Sequence, residues 1–131
     1  YVAPADYHLL IERDATLALS VDPKVNWSRP SIDVLFDSAA RAWGAGAIAV
    51  ILSGANDDGA EGMKAIAALG GLCIAQDPST ADTPIMPRAA IERAAIDTVL
   101  AAPAIGELLV ELGSFQIPDH LESSRTQGRL A

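Results

Sequence analysis

The sequence predicts a three-layer α/β/α domain with a mainly parallel, Rossmann-like sheet and a β-hairpin appendage. Half of the 131 residues are hydrophobic while aromatics make up only 5%. The core must therefore be built from Ala, Leu, Ile and Val, the composition of β-branched strands buried between Ala-rich helices. Residues 47–52, Ala-Ile-Ala-Val-Ile-Leu, run without polar alternation, which marks a strand covered on both faces and central to its sheet. From there the order is strand, helix, strand, helix, strand, helix, a series that right-handed crossovers wind into a parallel sheet.

The elements follow in order. Residues 1–3 read as a short strand stopped by Pro4. Residues 8–12 and 16–21 form a hairpin across the tight connection Arg13-Asp14-Ala15. Residues 22–29 hold Pro, Asn and Ser without periodicity and form a loop. A helix starts at Pro30, where proline suits the first turn, with Ile32, Leu35, Phe36, Ala39 and Trp43 on one face. Gly44 and Gly46 end it. After the strand at 47–52, residues 60–69 form a helix with Met63, Ile66, Ala67 and Leu69 inward, terminated by Gly70-Gly71. Residues 72–76 are a second buried strand and residues 77–86 a long polar connection. Pro87 opens a helix through Ala95, residues 96–100 are a strand, and residues 103–112 are the last helix. The domain spans residues 1–113, and residues 114–131 form a polar tail or linker.

Composition narrows function. A formal net charge of -8, with nine scattered Lys and Arg residues, argues against nucleic acid, because phosphate binding needs a basic stripe. Cys73 is the only cysteine, so no intrachain disulfide forms, and its apolar setting predicts a buried structural thiol. No apolar run reaches the roughly 18 residues needed to span a bilayer. The expectation is a cytoplasmic protein without membrane insertion. The chain opens on Tyr1-Val2-Ala3-Pro4 without an initiator Met, which suggests that a longer protein continues upstream.

In open parallel sheets, ligands sit outside the carboxyl ends of the strands. Residues 53–59 and 77–87 occupy that place. The first loop, Ser53-Gly54-Ala55-Asn56-Asp57-Asp58-Gly59, admits three readings. Asp57 or Asp58 caps the helix from Ala60. Alternatively the loop cradles a phosphate, although it lacks the glycine and lysine spacing and sets two carboxylates against the anion. In the third reading one Asp is the orienting acid of a Ser-His-Asp triad, held at a strand end against a histidine Nδ1–H. A metal needs further hard ligands that are not evident nearby, so neither metal nor cofactor is expected.

Ile51-Leu52-Ser53-Gly54-Ala55-Asn56-Asp57-Asp58-Gly59-Ala60, then Ile74-Ala75-Gln76-Asp77, then Met86-Pro87-Arg88-Ala89-Ala90-Ile91 resemble, in order, the catalytic domain of the chemotaxis protein-glutamate methylesterases, the CheB family. Upstream, Tyr1-Val2-Ala3-Pro4 with His8-Leu9-Leu10, and the run from Arg29-Pro30-Ser31 to Phe36, match the same family. The resemblance covers residues 1–113. It implies a serine-type hydrolase that removes methyl esters from glutamate side chains of methyl-accepting chemoreceptors, with glutamine deamidation in some members.

On that resemblance Asp58 is the triad acid, Asp57 a solvated neighbour or cap, and Gly54, Ala55, Asn56 and Gly59 the active-site loop. The family's oxyanion-hole Met falls on Ala55, whose amide survives the substitution. The nucleophilic Ser and general-base His lie upstream of residue 1 in the family pattern, so this chain alone is expected to be inactive. With the first strands absent, the edge of the strand at 47–52 would be unpaired. His8 is expected to be structural, His120 a solvated side chain, and Ser53 no substitute nucleophile. Met86 and Arg88 are candidate substrate-facing residues, and Arg29 is a surface charge. The implied partners are the helical cytoplasmic region of a chemoreceptor and an upstream receiver domain. Ala81-Asp82-Thr83-Pro84-Ile85 departs from the family's small apolar run. The alternative is a catalytically degenerate module of the same fold that docks on a receptor or methyltransferase.

Overall fold

The structure, a computed structural model, describes residues 1–114. The expected tail and His120 lie outside the described residues, apart from Ser114, which forms a turn closing the last helix. Strands β1 (His8–Ile11) and β2 (Leu17–Ser20) pair antiparallel, with His8 opposite Ser20 and Ile11 opposite Leu17. Strands β3 (Ile48–Ile51), β4 (Leu72–Gln76) and β5 (Thr98–Leu100) form a parallel sheet in the order β3-β4-β5. Helices α1 (Ile32–Trp43), α2 (Ala60–Ala68), α3 (Ile85–Arg93) and α4 (Ala102–Gly113) flank it. The α/β class, the parallel sheet and the hairpin are as predicted.

Several boundaries differ for identifiable reasons. Residues 1–3 form no strand, because their backbone pairs with no neighbour and Tyr1 and Val2 stand in solvent. Helix α1 begins at Ile32 rather than Pro30, with Ser31 extended at the N-cap. Helix α3 begins two residues before Pro87. There the proline sits third, in the first turn where an N–H has no intrahelical partner in any case. Leu69 lies beyond the end of α2 and is half exposed rather than inward.

The larger correction concerns β3. Strand β4, not β3, is the centre of the described sheet, and β3 has β4 as its only neighbour among the described residues. Its Ala49 and Ile51 are buried, while Ile48 and Leu52 are half exposed. An apolar run reports what a strand is able to bury, not what lies beside it. The other edge of β3 carries no ladder among the described residues.

The core gathers small and branched side chains, including Ala39, Ala40, Ala49, Ile51, Met63, Ile66, Cys73 and Ala90. Small residues let α1 and α2 approach closely: a Cβ added at Gly62 would lie 2.6 Å from Phe36 Cβ and 3.1 Å from Asp33 Cα. Cys73 is fully buried, and its thiol is pushed up to about 11, first by burial and then by the Asp97 carboxylate beside it. Against the ordinary value of 9.0 this leaves ~100-fold less thiolate at pH 8, and thiolate is the reactive form. Iodoacetamide should therefore label Cys73 at least about 100-fold more slowly in the folded protein than in urea. Equal rates in the two conditions would contradict the burial.

Strands β3 and β4 are parallel and in register, Ile51 opposite Ala75. Their carboxyl ends therefore deliver two loops to the same margin of the sheet. Buried Gln76 ties these loops together: its Oε1 accepts the Ser53 N–H at 2.9 Å, and its Nε2 donates to the Thr80 carbonyl at 3.2 Å.

Candidate active site

Beyond β3 the chain is pinned residue by residue. Thr83 N–H donates to Ser53 Oγ at 2.9 Å, and the Ser53 hydroxyl returns to the Thr83 carbonyl at 3.3 Å. That hydroxyl is engaged with the neighbouring loop and plays no part in an internal triad. Gly54 donates its N–H to the Thr83 carbonyl at 2.9 Å and accepts the Met86 N–H at 3.1 Å. Met86 lies directly over it, since a Cβ on Gly54 would sit 2.5 Å from Met86 Cε and 2.9 Å from Met86 Cβ. Met86 is thus a packing wall for the loop. The next residues, Ala55 and Asn56, are exposed, and the Ala55 N–H makes no hydrogen bond among the described residues. Asn56 Oδ1 accepts the Asp58 N–H at 3.0 Å, a local turn that rotates the Asp58 side chain inward. Gly59 follows with φ +98°, in the region that favours glycine, and its missing Cβ leaves room for Ile51 Cδ1.

Asp58 is 3% exposed. Its carboxylate does not cap α2, as a purely local reading of the sequence would have it. It reaches the start of α1, where Oδ2 accepts the Ile32 N–H at 2.7 Å and Oδ1 accepts the Asp33 N–H at 3.1 Å. Oδ1 also accepts the Ser31 hydroxyl at 2.9 Å and the Asn26 side-chain amide at 3.1 Å. Asp33 returns the interaction: its Oδ1 accepts the N–H groups of Gly59 at 3.0 Å and Gly62 at 2.7 Å. Each helix start is capped by an acid belonging to the other segment, which satisfies donors that a first turn leaves free. Asn26 spans the two acids, donating at 2.7 Å to Asp33 Oδ2 as well.

Burial pushes the Asp33 carboxyl above its ordinary value of 3.8, and the like charge of Asp58 adds to the rise, while hydrogen bonds from Gly62, Asn26 and Gly59 oppose it. The unfolded chain gives up this proton first, so between the two midpoints the folded state binds more protons. Asp33 therefore contributes a loss of stability as pH rises from about 3.8. Asp33→Asn should flatten that part of the stability profile, read from urea midpoints between pH 3.5 and pH 6 on the order of half a unit apart. An unchanged slope would contradict it.

His8 is buried and both ring nitrogens are committed. Nδ1 accepts the Ser31 N–H at 3.2 Å, and Nε2 donates to the Pro23 carbonyl at 3.0 Å. It supports Ser31, and neither of its ring nitrogens bonds to Asp58. Arg29 is more than a surface charge, since its guanidinium donates to the carbonyls of Val21 at 3.0 Å and Asp22 at 3.2 Å.

The other side of the loop is separate. Asp57 pairs with Arg93 at 2.8 Å across half-exposed side chains, and its carbonyl accepts the Ala60 N–H at 3.3 Å. An open cavity of about 450 Å³ lies between Asn56, Asp57, Ile85, Arg88 and Arg93. Arg88 is exposed on that wall and Asp58 does not line it. The structure therefore brings Gly54, Asn56, Asp58 and Gly59 together in one loop with Met86 of α3 packed over it, Ala55 at its tip and Arg88 across the cavity. Asn26, Ser31, Asp33 and Gln76 were missed by sequence reasoning. Ser31, Asp33 and Gln76 lie in runs that match the family, but those runs gave these side chains no role, and Asn26 lies in a loop without periodicity. Among the described residues no group of three His, Cys, Asp or Glu side chains converges to hold a metal ion. No helix among the described residues is long and apolar enough to cross a membrane.

A parallel sheet flanked by helices, with a buried, multiply hydrogen-bonded aspartate in the loop after a strand's carboxyl end, defines a Rossmann-like α/β domain. The chain belongs to the CheB methylesterase family, whose model matches residues 1–109. A Leptospira interrogans protein provisionally named protein-glutamate methylesterase/protein-glutamine glutaminase is 53% identical over 112 residues, covering 86% of this chain and 58% of that protein. Protein-glutamate methylesterase/protein-glutamine glutaminase 2 of Pseudomonas syringae pv. syringae is 40% identical over 111 residues, 85% of this chain and 33% of that protein. The crystal structure of the Thermotoga maritima CheB methylesterase catalytic domain superposes with a TM-score of 0.80 at 38% identity, covering 86% of this chain and 61% of that one. The chain thus spans less than two thirds of the length of each of these relatives.

Proposed function

We propose that the chain is the acid-bearing part of a cytoplasmic chemotaxis methylesterase, which hydrolyses γ-methyl esters of glutamate side chains on chemoreceptors and acts on glutamine amides by the same route. The observation that carries this reading is Asp58. It is buried after β3 and held by four donors among the described residues, of which Oδ2 receives one, the Ile32 N–H. A carboxylate oxygen accommodates more than one donor. Oδ2 therefore offers a place for an imidazole N–H.

The serine and histidine are supplied from outside residues 1–131. The serine oxygen attacks the ester carbonyl while the histidine takes its proton, and collapse of the tetrahedral intermediate releases methanol, protonated by the same histidine. Water then hydrolyses the acyl-enzyme to free glutamate. Asp58 orients the imidazole and stabilises its cationic form. The exposed Ala55 N–H supplies an oxyanion donor at the loop tip. Arg88 and the adjoining cavity form the rim toward the receptor, and a receiver domain upstream would regulate access. No metal or organic cofactor takes part.

The test is a fluorophosphonate serine probe applied to the full-length protein, together with methanol release from a methylated receptor fragment. Labelling of a serine outside this segment with methanol release is the expected result. An intact fold that neither labels nor releases methanol would instead support a docking module, the reading that the Ala55 substitution favours.

A further inference from the structure

We propose that Asn26, Ser31 and Asp33 are positioning residues for Asp58, and that they make Oδ2 the oxygen that receives the imidazole N–H. This inference rests on the methylesterase reading above. The two oxygens of Asp58 are unequal. Oδ1 takes the Ser31 hydroxyl at 2.9 Å, the Asn26 amide at 3.1 Å and the Asp33 N–H at 3.1 Å, which uses up its in-plane lone pairs. Among the described residues Oδ2 takes one donor, the Ile32 N–H at 2.7 Å. Four donors from four residues also fix the plane of the carboxylate, so the open position on Oδ2 has a defined direction.

The donors are themselves held. Ser31 is 2% exposed, and its N–H is fixed on His8 Nδ1 at 3.2 Å, while His8 Nε2 donates to the Pro23 carbonyl. Asn26 is delivered by a turn closed by reciprocal hydrogen bonds between Val25 and Ser28. In that turn Asn26 has φ +53° and Trp27 φ +63°. A Trp in the left-handed region is strained, where a hairpin turn of this kind ordinarily takes Gly. The strain has a local correlate, because this turn places the Asn26 amide between Asp58 Oδ1 and Asp33 Oδ2, one donor to each of two like-charged acids. Asp33 completes the frame by holding the N–H groups of Gly59, the residue after Asp58, and of Gly62 in the first turn of α2.

The test is steady-state methanol release by the full-length protein for Ser31→Ala, Asn26→Ala and Ser31→Thr, each alone and combined with Asp58→Asn, with thermal melts to establish folding. Ser31→Ala and Asn26→Ala should each lower kcat about 10-fold or more with KM within about 2-fold, and Ser31→Thr, which keeps the hydroxyl, should restore most of it. In the Asp58→Asn background neither alanine should lower kcat further, because residues acting through one group are not additive. Asn26 is exposed at the surface, so it serves as the readout should Ser31→Ala fail to fold. Losses that multiply unchanged into the Asp58→Asn background overturn the positioning role, as does a wild-type kcat in both alanine variants beside an inactive Asp58→Asn. An Asp58→Asn protein with wild-type kcat, or an unsubstituted protein that releases no methanol, overturns the methylesterase reading and the inference with it.

Discussion

Asp58→Ala is expected to lower the unfolding free energy of the full-length protein by about 3 kcal/mol, a large effect for a polar residue in a loop. The side chain removed is 3% exposed and accepts from four donors. The Ser31 hydroxyl and the first-turn N–H groups of Ile32 and Asp33 would be left inside the protein without partners. Losing a helix cap alone costs about 1 kcal/mol, and each further stranded donor adds of the order of 1 kcal/mol. Relief of the Asp33 repulsion offsets part of this, because Asp58's charge contributes to the raised Asp33 carboxyl. Asp58→Asn keeps one acceptor oxygen but turns an N–H toward a donor, so it should fall between, at about 1.5 kcal/mol. Urea unfolding monitored by circular dichroism gives the order. An alanine variant within about 0.5 kcal/mol of the parent would show that the network contributes little.

The second large effect has the opposite sign to the rule of thumb. Gly to Ala inside a helix ordinarily stabilises by up to about 1 kcal/mol. At Gly62 the added methyl would lie 2.6 Å from Phe36 Cβ and 3.1 Å from Asp33 Cα. Neither atom is the far end of a flexible side chain, so α1 must move away from α2. That movement strains the Asp33 caps on Gly59 and Gly62, at 3.0 and 2.7 Å, and lengthens the links from Asp58 to the start of α1. Gly62→Ala should destabilise the protein by about 2 kcal/mol or more. The same variant should lower methanol release in proportion to the disturbance of Asp58. A Gly62→Ala protein as stable as the parent, measured by the same urea unfolding, would mean that the two helices are not in close contact.

How much of this could be read from residues alone depends on whether the interaction was local. Strand β4 was read at its observed limits, because Gly70-Gly71 punctuate it and its residues are nearly all buried. The hairpin of β1 and β2 followed from two apolar runs around a short connection. Strand β3 was placed within a residue at each end, but its position in the sheet was not readable, since apolar character does not name neighbours. The same limit applies at the site. Place after a strand pointed to the loop but left Asp57 and Asp58 open, and only the family resemblance singled out Asp58. Its partners lie 25 to 32 residues away at the start of α1 and in the preceding loop, and a cap read from spacing alone is always sought in the adjacent helix. Ser31 and Asp33 drew no assignment for the same reason, since their side chains serve the other helix and its loop.

The decisive separation is that between Asp58 Oδ2 and the nearest histidine ring nitrogen in a crystal structure of the full-length protein. A histidine from outside residues 1–131 should stand within about 3.2 Å of that oxygen, hydrogen-bonding distance, while Oδ1 keeps Ser31, Asn26 and Asp33. An Oδ2 that faces bulk water, or that is closed off by some group other than an imidazole, would contradict Asp58 as the orienting acid.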